Sequence, residues 1–239
     1  MGWVGCSVVS LEICESTNDE AQRLAKEGAS HGTVVIANEQ TRGRGRLGRS
    51  WHSPAGKSLY LSLLVRPNDT KVALPPITLA AGVAVAEALE SCGARPTLKW
   101  PNDVFLNGRK VAGILTEMNS QNGLEHIVIG IGINLIGETF PEDIKAIATS
   151  VLIETGRRVN RDEFLAILCP FLESRLDAYL SLGLTALAKD WESRKLTGNV
   201  SVDGQPVGEA LGLSPKGGLR VLREDGSETE VMAGDVTFQ

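Results

Sequence analysis

The sequence predicts an α/β fold that ends in a small antiparallel barrel, and three observations lead there. Strand-like apolar runs alternate with helical stretches up to about residue 195. From Leu196 the last 44 residues hold only short apolar runs, split by Asp203-Gly204, Lys216-Gly217-Gly218 and Asp225-Gly226, which is turn spacing suited to a small β-barrel. The length, 239 residues at 42% hydrophobic, suffices for one sizeable core plus a small unit. The chain is therefore divided into residues 1–195 and 196–239.

Taken in order, residues 3–14 alternate weakly and predict a strand. Thr17-x-x-Glu20 reads as a capping box opening a helix from about Asn18 to Glu27, stopped by Gly28. Thr33–Ala37 is a short buried strand that runs into a loop, Asn38 to Trp51, with three glycines and four arginines. Ser58–Val65 is strand-like, and Pro76 to Cys92 is a helix apolar on most faces, hence deeply packed. Thr97–Trp100, Val104–Leu106 and Lys110–Glu117 are strands, the last two joined by the hairpin signal Asn107-Gly108. His126–Ile133 is a further strand. Asn160-x-x-Glu163 caps a long helix to about Leu180 with Pro170 inside it, and a helix near Thr185–Arg194 closes the larger unit.

A net charge of −5 and a pI near 5.4 give no general attraction to nucleic acid or to an anionic membrane. Cys6, Cys14, Cys92 and Cys169 lie far apart with no Cys-x-x-Cys pair, which argues against a zinc site or a disulfide framework and for a reducing compartment. No apolar segment reaches the 18 or so residues that span a bilayer, so the expectation is a cytoplasmic protein without membrane contact.

Four segments carry possible chemistry. The loop Gln40-Thr41-Arg42-Gly43-Arg44-Gly45-Arg46-Leu47-Gly48-Arg49-Ser50-Trp51 contains Gly-x-Gly-x-x-Gly. A strand rather than a helix follows it, so the dinucleotide fingerprint lacks its context. Gly56-Lys57-Ser58 is no phosphate-binding P-loop either, because Trp51 stands where the first glycine belongs. What remains is a backbone able to close on a small ligand and guanidinium forks suited to phosphate or carboxylate, or else a solvated basic loop. Lys99-Trp100-Pro101-Asn102-Asp103 is a tight polar turn. Lys110, three residues before Gly113, suits a cation held beside a ligand, or a gatekeeper on an edge strand. In Gly130-Ile131-Gly132-Ile133-Asn134 one strand face has no side chain, which admits a flat ligand or marks a bulge.

Each segment alone is ambiguous. In this order, and with Glu15-Ser16-Thr17-Asn18 ahead of them, they resemble the biotin–protein ligase family across roughly residues 10–195. The resemblance implies a mixed sheet with flanking helices as catalytic domain and an SH3-like β-barrel after it. It implies ATP-dependent formation of biotinyl-5'-AMP, then transfer of biotin to a lysine of the biotin carboxyl carrier protein, a domain of acetyl-CoA carboxylase or a related carboxylase. Ser16, Thr17 and Gln40 would hydrogen-bond the ureido ring, in a biotin site shared with Asn18, Gly43, Gly45 and Gly113. Arg44 and Arg46 would belong to a loop that closes over biotin and the adenylate. Lys110 would contact the carboxylate and the α-phosphate. Trp51, Asn102 and Asn134 would lie on the nucleotide side. Asp103 would orient or deprotonate the acceptor lysine, which makes Lys110, Arg46 and Asp103 the catalytic set. Mg²⁺ would ride on the phosphates without protein ligands of its own.

Only 14 residues precede the first motif, too few for two short helices and a turn, so the expectation is a form without a DNA-binding helix-turn-helix. A homodimer is left open. The rival within the fold is a lipoate–protein ligase; the rival of another class is a nucleic-acid-binding or interaction protein. With three glycines and several like charges, the arginine loop is expected to order only when ligand binds.

Overall fold

The computed structural model describes residues 2–67, 76–119 and 126–239. Strand β1 (Ser7–Cys14) starts later than the alternation suggests, because residues 3–6 turn. Helix α1 (Thr17–Lys26) has Ser16 as its N-cap, without a side-chain capping bond. The expected capping box is thereby corrected: Thr17 lies inside the helix, its hydroxyl donates to Gln40 Oε1 at 3.1 Å, and Glu20 pairs with Arg23. A tertiary acceptor on the neighbouring strand has outcompeted the local one.

The strands β2 (Thr33–Gln40), β3 (Ser58–Val65), β4 (Pro96–Lys99), β5 (Asp103–Leu106), β6 (Arg109–Asn119) and β7 (His126–Asn134) follow the apolar runs of the sequence. With β1 they form a seven-stranded sheet in the order β1-β2-β3-β7-β6-β5-β4. Only the β1–β2 pair is parallel, so the sheet is mixed. Asn107 and Gly108 both take positive φ (48° and 76°), as a two-residue hairpin turn requires.

Helix α2 (Ile77–Ser91) is buried along most of its length and packs on β4–β6 and on α4 (Arg161–Leu182), which Asn160 caps by accepting from Glu163 N at 2.8 Å. Helix α1 covers the opposite face, packing its Ala21 and Ala25 over Val35, Leu64 and Val128. Along β7 the odd residues Ile127 to Ile133 join the α2 core, so Val128, Gly130, Gly132 and Asn134 face the α1 side. Two short helices, α3 (Val151–Thr155) and α5 (Ala188–Glu192), flank α4; α5 is shorter than the stretch expected, its first turn being a 3-10 turn at Gly183–Ala186.

From Asn199 five antiparallel strands form a second sheet: β8 (Asn199–Val202), β9 (Gln205–Leu213), β10 (Leu219–Leu222), β11 (Glu228–Val231) and β12 (Val236–Phe238), ordered β11-β10-β9-β8-β12. The three Gly-containing turns expected from the sequence separate β8 to β11. Apolar residues of both sheets join one continuous cluster. Trp100, buried at the tip of β4, donates its indole N–H to Gly217 O in the second sheet at 2.9 Å.

Candidate active site

The site begins as a bare floor. The ladders are regular at β7, so Gly130 and Gly132 do not mark a bulge. Register sets Gly132 between Tyr60 and Gly113, and Gly130 between Ser62 and Leu115. The gap is filled by side chains from outside the sheet: a β-carbon at Gly132 would meet the Trp51 indole at 2.5 Å, and one at Gly130 would collide with the Asn18 amide. The indole nitrogen of Trp51 is the one buried side-chain polar atom without a partner among the described residues. It leaves a donor available to a ligand.

Around this floor lies a polar cradle. Gln40 Oε1 accepts from Thr17 N (2.9 Å), and Gln40 Nε2 donates to Ser53 Oγ (2.9 Å). Ser62, fully buried on β3, lies 2.6 Å from Asn18 Oδ1 and 2.8 Å from Thr17 Oγ1. Asn18 Nδ2 donates to Glu117 Oε2 at 2.8 Å. Ser16, Thr17, Asn18, Gln40 and Gly113 thus wall a narrow inner chamber of about 50 Å³. Nothing in the sequence marks Ser62, a lone hydroxyl within an apolar strand, until α1 is seen to set Thr17 and Asn18 against it.

Lys110 stands where the inner chamber meets an outer one of about 200 Å³. It enters β6 at a register shift opposite Val104/Phe105, and such bulges re-aim side chains. Strand β6 is interior to the sheet, so Lys110 is no edge gatekeeper. Its ammonium pairs with Asp103 Oδ1 at 2.6 Å and lies 5.3 Å from the Trp51 ring centre. Lys99 lies 3.9 Å from Asp103 Oδ2 and also lines the outer chamber; burial pushes its pKa below the usual value, with Asp103 opposing. Lys99 sits inside a motif that the sequence reading singled out, yet only the β4–β5 pairing Lys99↔Asp103 turns it toward the site. The two asparagines are engaged by the protein: Asn102 Nδ2 donates to Ile114 O (2.9 Å) and Asn134 Nδ2 to Thr149 O (3.0 Å).

The arginine loop is a small hairpin, closed by Trp51 N→Gly43 O (2.8 Å) and Gly45 N→Arg49 O (2.7 Å) around a 3-10 turn at Arg46–Gly48. Gly43 lies behind the chamber walls, where a β-carbon would sit 2.6 Å from Ser53 Oγ. Arg42 pairs with Glu15, Arg44 with Asp19 and Glu117, and Arg49 with Asp235 of the second sheet. Arg46 alone of the four has no carboxylate partner among the described residues; it donates to Asn102 Oδ1 at 3.2 Å and lines both chambers. The loop thus has carboxylate partners in Glu15, Asp19, Glu117 and Asp235, but these pairs are partly or largely exposed and each contributes little to holding it.

A polar cradle that opens into a chamber lined by Lys110, Lys99 and Arg46 is an arrangement able to hold a small polar molecule next to an anion. The Biotin/lipoate A/B protein ligase family matches residues 10–134. The chain is 40% identical over 194 residues to the biotin–[acetyl-CoA-carboxylase] ligase of Paracoccus denitrificans, covering 77% of this chain and 79% of that one. It is 35% identical over 232 residues to the bifunctional ligase/repressor BirA of Bacillus subtilis, covering 93% and 71%. Its fold is similar to the biotin protein ligase from Aquifex aeolicus in complex with biotin and ATP, with a TM-score of 0.84, 33% identity, and 98% and 99% of the two chains covered. This chain belongs to the biotin/lipoate protein ligase family.

Proposed function

We propose that this chain is a biotin–protein ligase that makes biotinyl-5'-AMP from biotin and ATP and transfers biotin to a lysine of a carboxylase carrier domain. The observation that carries the reading is the polar inner cradle joined at Lys110 to a cation-lined outer chamber. A ureido ring can exchange hydrogen bonds with Ser16, Thr17 and Gln40, whereas the dithiolane of lipoate offers this polar cradle no comparable donor or acceptor, and the relatives at 35–40% identity are named as biotin ligases or as a ligase/repressor. The lipoate reading is therefore not favoured.

In the first step the biotin carboxylate attacks the α-phosphorus of ATP and pyrophosphate leaves. Lys110 and Arg46 lie where that negative charge gathers, which is where preorganised cations lower a barrier. Mg²⁺ riding on the phosphates would supply further charge neutralisation there. In the second step the carrier amine attacks the acyl carbon and AMP leaves. Asp103 becomes available to orient that amine or take its proton once Lys110 turns from it to the ligand. Arg44 acts as a latch on Asp19 and Glu117. Gly43 and Gly45 let the loop close, and Trp51 separates the chambers with its free indole N–H. Asn102 and Asn134 shape the nucleotide wall through their own bonds to the backbone.

Residues 1–195 serve as the catalytic unit and 196–239 as the smaller one. The chain acts in the cytoplasm, and with a net charge of −5 it does not bind DNA. Its assembly, as monomer or homodimer, is read by light scattering. Intact-mass measurement after incubation with ATP, a carrier domain and either biotin or lipoate tests the activity. The expected gain is one biotinyl group; a lipoyl adduct, or none with biotin, overturns the proposal.

A further inference from the structure

Glu154, at the end of α3, is a carboxylate the mechanism does not use, with a side chain only 7% exposed. It accepts from Asn107 Nδ2 (2.6 Å), from an Arg109 guanidinium nitrogen (2.6 Å) and from the Thr149 hydroxyl. Those three donors come from the β5–β6 hairpin and from the strip just before α3. Burial raises the pKa of the group, but the bonds from Thr149 and Asn107 and the Arg109 charge hold it below the usual carboxylate value, so it stays ionised.

The strip is in turn stitched to the site. Thr149 N donates to Lys110 O (2.9 Å), Lys110 N donates to Ile147 O (2.7 Å), and Thr149 O accepts from Asn134 Nδ2 (3.0 Å). Ile147 and Ala148 line the outer chamber. One carboxylate therefore ties the turn before Lys110, the backbone on both sides of Lys110 and the amide of Asn134 into a single unit. A buried charge is costly and is often no more stabilising than a well-packed apolar residue, whereas a fixed cation is what a developing phosphate charge requires.

We propose that Glu154 is a positioning residue for adenylate formation, holding Lys110 and the Asn134 wall in register through Thr149, Asn107 and Arg109. It lines neither chamber, and of the groups it ties to the site Asn134 faces only the outer chamber while Lys110 faces both, so its loss acts more on the nucleotide step than on biotin binding. The inference rests on the ligase reading above; wild-type protein that forms no biotinyl-adenylate would sink that reading, whereas the comparison of variants with active wild type tests Glu154.

The test uses the full chain with Glu154→Ala, Thr149→Val and the double variant, measuring biotin affinity by calorimetry and adenylate formation by pyrophosphate release. Biotin affinity should fall by no more than about fivefold, while kcat/KM for ATP falls roughly ten- to a hundredfold, the scale of a small misplacement of reacting groups. The double variant should cost little more than Glu154→Ala, because both changes break one linkage. Should Glu154→Ala fail to fold, Thr149→Val alone is expected to give the same split. Equal losses for biotin and ATP, unchanged ATP kinetics, or additive effects in the double variant would each overturn the proposal.

Discussion

At the scale of single residues, the site depends on which cations are already occupied. Lys110 is paired with Asp103 yet faces both chambers, so its ammonium can be exchanged from that carboxylate to a phosphate. Lys110→Ala should lower adenylate formation by about 10²–10³ while the protein stays folded; a near wild-type rate by pyrophosphate release would remove Lys110 from the mechanism. Arg46 and Arg44 look equivalent in the Gly-Arg-Gly-Arg repeat, but only Arg44 is held by Asp19 and Glu117. Arg46→Ala is therefore expected to let biotinyl-adenylate escape into solution, seen as adenylate in the filtrate after ultrafiltration. Arg44→Ala should mainly loosen the loop. Both arginines are visible as candidates in the sequence; their division of labour is not, because Glu117 lies 73 positions from Arg44 and reaches it only through the sheet.

At the scale of elements, the arginine loop and the second sheet are coupled. Arg49 and Asp235 pair with 64% and 31% of their side chains exposed, so the link is weak and screened by salt. The Arg49 hydrogen bond holds the Asp235 carboxyl below its usual pKa of 3.8. A lowered folded-state value means the link is fully present above the unfolded pKa and is lost as pH falls through the folded one. Neutral pH therefore preserves the latch, and salt or Asp235→Asn removes it. Trypsin should cut after Arg46 or Arg49 slowly in the free protein, faster with Asp235→Asn or high salt, and slowest with biotin plus ATP. Identical rates in all of these conditions would mean the loop is not a lid. The loop's composition announces an anion-binding closure, while its hairpin form rests on its own backbone bonds and its carboxylate partners are supplied only by the tertiary fold.

At the scale of the molecule, the two sheets share one apolar cluster and the Trp100–Gly217 hydrogen bond. Trp100→Phe keeps most of the packing but leaves a buried carbonyl unpaired, which should cost about 1–3 kcal/mol. Denaturant unfolding should show that loss in a single transition reported alike by probes on both sheets; two separate transitions would mean the sheets are independent. Local pattern determined most of the elements here, though not the start of β1, the cap of α1 or the extent of α5. A buried strand needs only a short apolar run and a turn needs only its Gly, so β3 was legible to the residue, as were the Asn107-Gly108 hairpin and the turns after Leu196. The order of motifs likewise determined the family, since those residues are set by the ligand chemistry. What the tertiary structure decided is which faces meet: Gly113 beside Gly132, Ser62 under Thr17 and Asn18, Thr17 turned from a cap to Gln40, and Glu154 behind Lys110. These pairings depend on register and on helix placement across the sheet, where free energies summed over the whole core outweigh the local preference of any one residue.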